Sequence, residues 1–98
     1  MTADQRNKIG DVAAAVKNAM QLLAAGHNDQ AYQQAQEILK QYPGDINAQL
    51  VVAVVLRHRG ELPAAIESLQ TIVKKAPDFP IAFQELAFAY ADSGDIQQ

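Results

Sequence analysis

The sequence has no cysteine and no tryptophan. Without cysteine there is no disulfide framework, no thiolate zinc site and no thiol nucleophile. Histidine and serine are scarce, at two residues each. Long apolar runs are missing too. The longest, Leu50 to Leu56, is seven residues, against the roughly 20 that a membrane-crossing helix needs. Positive charge is not in excess. Eight Lys and Arg face eleven Asp and Glu, for a net charge of −3, which argues against a surface built to hold nucleic acid. The opening stretch, Met1-Thr-Ala-Asp-Gln-Arg-Asn-Lys8, is polar and lacks the apolar centre of a secretory signal. Neither a membrane nor a nucleic acid is expected as partner, and the expected location is cytoplasmic.

What is present points to helices. The chain is 98 residues long and 49% hydrophobic, enough for one small domain. Alanine occurs 18 times and glutamine 12 times, and both favour helix. Strict alternation of apolar and polar residues, the mark of a half-buried strand, is absent. The β-branched run Leu50-Val-Val-Ala-Val-Val-Leu56 would suit a buried strand by propensity alone. Its position in a repeat decides for a helix.

That repeat has a period of 34. Gly26, Gly60 and Gly94 stand at this spacing, as do Ala19, Ala53 and Ala87, and Leu22, Leu56 and Tyr90. Ala31 pairs with Ala65, Ile38 with Ile72, and Pro43 with Pro77. Superposing 12–45 on 46–79 gives nine identities. They fall on small, apolar, glycine and proline positions, where a packed unit would demand them. The chain therefore divides into a polar leader or helix extension at 1–11, one unit at 12–45, a second at 46–79, and the first helix of a third at 80–98.

This period and punctuation resemble the tetratricopeptide repeat. The positions carrying the resemblance are Gln49, Val52-Ala53, Leu56, Ala65, Leu69 and Pro77 in the second unit. In the third they are Phe83, Leu86-Ala87 and Tyr90, and in the first Ala15, Asn18-Ala19, Leu22, Ala31, Ala35 and Pro43. Asn18 and Gln49 depart from the pattern, so looser packing is expected there. The resemblance implies an all-α fold, a right-handed superhelical stack of antiparallel helix pairs with about five helices.

The helices are expected at 12–25, 29–41, 46–58, 63–75 and 80–92. Thr2 and Gln5 form a possible capping box that would extend the first helix toward residue 4. Asp45 is the expected N-cap of the third helix. Pro63 and Pro80 suit first helical positions. Gly26 and Gly60 should close the first helix of each unit, and Pro43 and Pro77 should stop the second. The valine-rich run then becomes the centre of a helix buried nearly all round. Ala19, Ala53 and Ala87, with Ala31 and Ala65, should let paired helices approach closely.

The catalytic inventory is thin. His27 falls in a turn and His58 at a helix end, where a histidine complements the helix dipole. Ser68 has no nucleophile-elbow sequence around it. The histidines do not share a metal-ligand spacing, and the five glycines are isolated rather than grouped around a phosphate. No enzyme activity, cofactor or metal is expected. Asp29, Asp45 and Asp78 lie near helix starts and Lys74-Lys75 at a helix end, as the dipole favours. Arg57, His58 and Arg59 form a short basic patch.

By the resemblance, protein or peptide ligands lie along a concave face lined by the first helix of each unit. Register places Val16, Met20 and Leu23 there from the first helix, and Asn47, Leu50, Val54, Arg57 and His58 from the third. Ile81, Gln84, Phe88 and Asp92 follow from the fifth. The centre of this groove, Val16, Met20, Leu50, Val54 and Phe88, is expected to be apolar. The Lys and Asn residues that clamp a peptide carboxylate in chaperone-binding relatives have no counterparts. Phe83, Leu86, Ala87 and Tyr90 form a second stripe, which would pack against a sixth helix. Without one it is an expected self-association face. The stretch from Ala76 to Tyr90 resembles repeats upstream of sulfotransferase-type domains in bacterial proteins. This implies an alternative role as a scaffold or dimerisation segment of an enzyme whose catalytic domain lies beyond residue 98.

Overall fold

A computed structural model describes residues 11–94. Five helices follow one another: α1 (Val12–Ala24), α2 (Asn28–Gln41), α3 (Ile46–His58), α4 (Leu62–Lys75) and α5 (Pro80–Ser93). No strand occurs among the described residues. The helix extension expected from Thr2 and Gln5, and any helix beginning after Gly94, lie outside them.

Local chemistry explains the boundaries. The Asp45 carboxylate accepts from the Ala48 N–H at 2.9 Å, capping α3 as expected. Asp11 caps α1 in the same way, accepting from the Ala14 N–H at 3.1 Å. The sequence reading missed Asp11, although it stands 34 residues before Asp45. Asp78 does not cap α5; Phe79 takes that position without a side-chain bond, and Pro80 opens the helix. Pro63 is the second residue of α4 rather than the first, because the helix begins at Leu62. Both positions precede the first intrahelical N–H, so proline costs no bond at either.

The α1 and α3 C-termini close identically. His27 N–H donates to Leu22 O at 2.9 Å and Gly26 N–H to Leu23 O at 3.1 Å. Glu61 N–H to Leu56 O at 2.9 Å and Gly60 N–H to Arg57 O at 3.0 Å repeat the pattern. These paired bonds form the Schellman closure, and its left-handed residue is glycine in both cases, with φ of +86° and +80°. The second helices end differently. Asp45 N–H bonds Tyr42 O at 3.0 Å and Phe79 N–H bonds Ala76 O at 3.1 Å. Pro43 and Pro77 each follow the accepting residue, where proline's fixed φ suits a β-turn.

The helices pair as α1–α2 and α3–α4, with α5 against α4. Among the described residues α3 touches all four other helices, whereas α1 touches only α2 and α3. Two core clusters meet on α3. Val51, Val55 and Ala48 join Val16, Ala19, Ala31, Ala35 and Ile38. Leu50, Ala53 and Val54 join Leu69, Ile72, Ala82 and Ala89. The run that resembled a strand is therefore the helix both clusters share. Ala19, Ala53, Ala31 and Ala65 are fully buried, as close helix approach requires. Ala87, the third member of that register, is exposed, because no described helix lies over its side of α5.

Candidate interaction surface

Only part of the expected groove is open. Val16, Leu50 and Val54 are 7%, 2% and 7% exposed. They belong to the core, which corrects the expectation of an apolar groove centre. Val16 packs against residues of α2 and α3, and Leu50 and Val54 pack against Leu69 and Ile72 of α4 and Ala82 and Ala89 of α5. Met20 and Leu23 of α1 are half-buried and pack against the same cluster as Leu50 and Val54. Asn47 and His58 are exposed at opposite ends of α3.

The α5 side is different. Four large apolar side chains stand exposed among the described residues, and three belong to α5: Ile81 (47%), Phe83 (46%) and Phe88 (44%). The helical period puts Ile81, Gln84, Phe88 and Asp92 on one face. Ala82 and Ala89 form the buried side, and small residues there seat α5 closely on the core. Phe83 points away from both, toward the side expected to self-associate. There Ala87 is exposed, while Leu86 packs against the core. Tyr90 accepts a hydrogen bond from Gln70 Nε2 at 2.6 Å, so it links α5 to α4.

Arg57 organises the face between α3 and α5. Its Nε donates to Glu85 Oε1 and its Nη1 to Asp92 Oδ2, both at 3.1 Å. The guanidinium also lies 5.4 Å from the centre of the Phe88 ring, within range of a cation–π attraction. Its Nη2 stands 3.3 Å from His58 Nε2. Asn28 of α2 faces His58 Nδ1 at 3.4 Å. Its Nδ2 is the atom facing the ring, and its Oδ1 is buried without a hydrogen-bond partner.

Arg59 makes the corresponding link backward. Its Nη2 donates to Asp29 Oδ1 at 2.8 Å, and its guanidinium lies 4.5 Å from the centre of the Tyr32 ring. The expected basic patch is thus divided. Arg57 reaches α5, Arg59 reaches α2, and His58 lies between. Neither Glu85 nor the Asp29–Arg59 pair was singled out in the sequence. Glu85 had a legible signal, standing four residues after Ile81 and seven before Asp92, on the side of α5 nearest α3.

Two clefts lie away from this face, in matching places of the two units. One, of about 690 Å³, is lined by Asn18, Leu22, Gln30, Gln33, Gln34 and Glu37. The other, of about 360 Å³, is lined by Gln49, Val52, Glu67, Ser68, Thr71 and, from the preceding unit, Leu39. Asn18 is exposed in the first, consistent with the looser packing expected. Gln49 is half-buried and anchored, donating to Pro43 O at 2.9 Å. Among the described residues no group of histidine and carboxylate side chains has the arrangement of a metal site. No helix there is long and apolar enough to cross a membrane.

A family model for the tetratricopeptide repeat matches residues 22–87, from the last turn of α1 to the middle of α5. The chain belongs to the tetratricopeptide repeat family. A TPR repeat-containing protein of Pseudomonas aeruginosa is 33% identical to it over 72 residues, covering 70% of this chain. The chain spans 12% of that relative's length. The relative is described by its repeats alone, and the sulfotransferase resemblance finds no support in it. Tetratricopeptide repeats generally mediate protein–protein interaction and are generally non-catalytic, and this chain shares their helix pairing and turn chemistry.

Proposed function

We propose that this tetratricopeptide chain is a non-catalytic binding module, taking a segment of a partner protein on the face shared by α1, α3 and α5. The observation that carries this reading is the exposure of Ile81 and Phe88 on one face of α5, beside the Arg57 cluster. Apolar side chains held in water next to an ordered polar group favour a partner that covers them. Met20 and Leu23 continue the face on α1, Asn47 and His58 bound it on α3, and Gln84 lies between Ile81 and Phe88. Val16, Leu50 and Val54 support these residues from beneath.

The test compares partner recovery by the unaltered chain with recovery by Phe88→Ala and Ile81→Ser. Both variants are expected to keep the native circular dichroism spectrum and to lose the partner. Retention of the partner by both folded variants would remove this face from the binding role. Val54→Asp is unsuitable, since it buries a charge and unfolds the chain.

A second reading rests on Phe83. This side chain and Ala87 are exposed on the side of α5 opposite Arg57, where Leu86 and Tyr90 give partial support. A second copy or another part of a longer parent would cover them, giving the chain a scaffold or dimerisation role. Sedimentation equilibrium distinguishes the cases: self-association is expected to be abolished by Phe83→Asp. A strict monomer at high concentration before any substitution would remove the second-copy form of this reading.

A further inference from the structure

The charge balance beside Phe88 selects the kind of segment this face accepts. Among the described residues Arg57 is the cation there, and its guanidinium already holds two carboxylates. Nε serves Glu85, Nη1 serves Asp92, and Nη2 stands beside His58. An anionic ligand approaching the guanidinium would meet the two carboxylates already bonded to it. Two carboxylates against one guanidinium leave a surplus negative charge. Glu85 is 17% exposed and Asp92 47%, so the surplus is presented at Asp92. Arg59 is held away by Asp29 and Tyr32. Lys74 and Lys75 end α4, next to the start of α5 and roughly 18 Å along the helix from Asp92.

The spacing is equally specific. Ile81 and Phe88 are seven residues apart, roughly 10.5 Å along α5, and Asp92 follows one turn later. An amphipathic helix repeats its own side chains at the same intervals, so a helix laid along α5 meets all three positions in register. We propose that the α5 face takes a partner helix presenting two apolar residues seven positions apart and a lysine or arginine one turn beyond them. This rests on the binding face proposed above, and it fixes the charge and spacing of the ligand.

The probes are blocked, fluorescently labelled, alanine-based helical peptides of about 18 residues, long enough to be helical alone. One carries Leu at i and i+7 with Arg at i+11. A second replaces that Arg by Glu, and a third has Gln at all three positions. Anisotropy titrations with the 98-residue chain are expected to give the Arg peptide about tenfold higher affinity than the Glu peptide, the combined effect of one gained attraction and one removed repulsion. Asp92→Asn is expected to reduce that difference to about threefold or less. Raising NaCl from about 50 to about 500 mM should weaken the Arg peptide selectively, an independent readout that uses the unaltered chain.

Equal or tighter binding of the Glu peptide, with both leucine peptides above the Gln control, would overturn the charge selection and leave the apolar face standing. An unchanged Arg preference in folded Asp92→Asn would remove Asp92 from the site. Failure of both leucine peptides to exceed the Gln control would overturn the binding face itself, and this proposal with it.

Discussion

Asp45 and Gly60 stand at opposite ends of α3 and restrain it by different means. Asp45 supplies an acceptor to an N–H that the helix cannot satisfy. Replacing it with Ala should cost about 1 kcal/mol, read from urea denaturation. Gly60 supplies backbone freedom instead. Its φ is +80° and no atom lies within 4 Å of an added Cβ, so Gly60→Ala loses through backbone conformation alone, about 1–2 kcal/mol. Both residues were legible in the sequence, because caps and closures depend on residues within one turn. Arg57 was not legible in the same way. Its partners lie 28 and 35 residues away, and nothing near it in sequence names them. Arg57→Ala should destabilise the chain by about 1–2 kcal/mol, since it leaves the largely buried Glu85 without its cation. Lys40→Ala, which removes an exposed pair with Glu37, should leave the melting temperature unchanged within error.

At the scale of elements, burial separates core from surface on helices that look alike in composition. Leu50 and Phe88 were assigned to the same groove by register. Leu50 is core and Phe88 is surface. Leu50→Ala should therefore cost about 2–5 kcal/mol through the cavity it leaves, whereas Phe88→Ala should cost within about 1 kcal/mol. Paired thermal melts of the two variants check this directly. Equal losses would mean that α5 shields Leu50 less than the structure indicates. Register locates a residue on a helix face; how far that face is covered depends on how closely the neighbouring helices lie. Here small residues set that distance. Ala82 and Ala89 bring α5 down onto the core, and Ala19 and Ala31 do the same between α1 and α2. The sequence marked Ala19 and Ala31 correctly as close-packing positions and did not single out Ala82 or Ala89. Ala87 shared their register without their burial, since burial needs a second helix and its side of α5 has none among the described residues.

Over the whole molecule, contacts run from each helix to its near neighbours, and α1 and α5 share none among the described residues. A chain built this way is stabilised by its units and by the interfaces between them. Because α3 belongs to both core clusters, it should open last. Hydrogen exchange is expected to be slowest at the amides of Val51 to Leu56 and faster in α1 and α5. Uniform protection across all five helices would instead indicate a single cooperative unit. The sequence by itself determined the period, the helix pairs and the places where each helix starts and stops, and with them the family. Those features follow from residues close together in the chain, where turn chemistry and helical periodicity act directly. The tertiary structure alone decided that Leu50 and Val54 are covered, that Arg57 and Arg59 bridge in opposite directions, and that Asp92 is the more exposed of the two carboxylates on Arg57. Each of these depends on the distance and rotation between successive units, which many weak packing contacts set together and no local motif encodes.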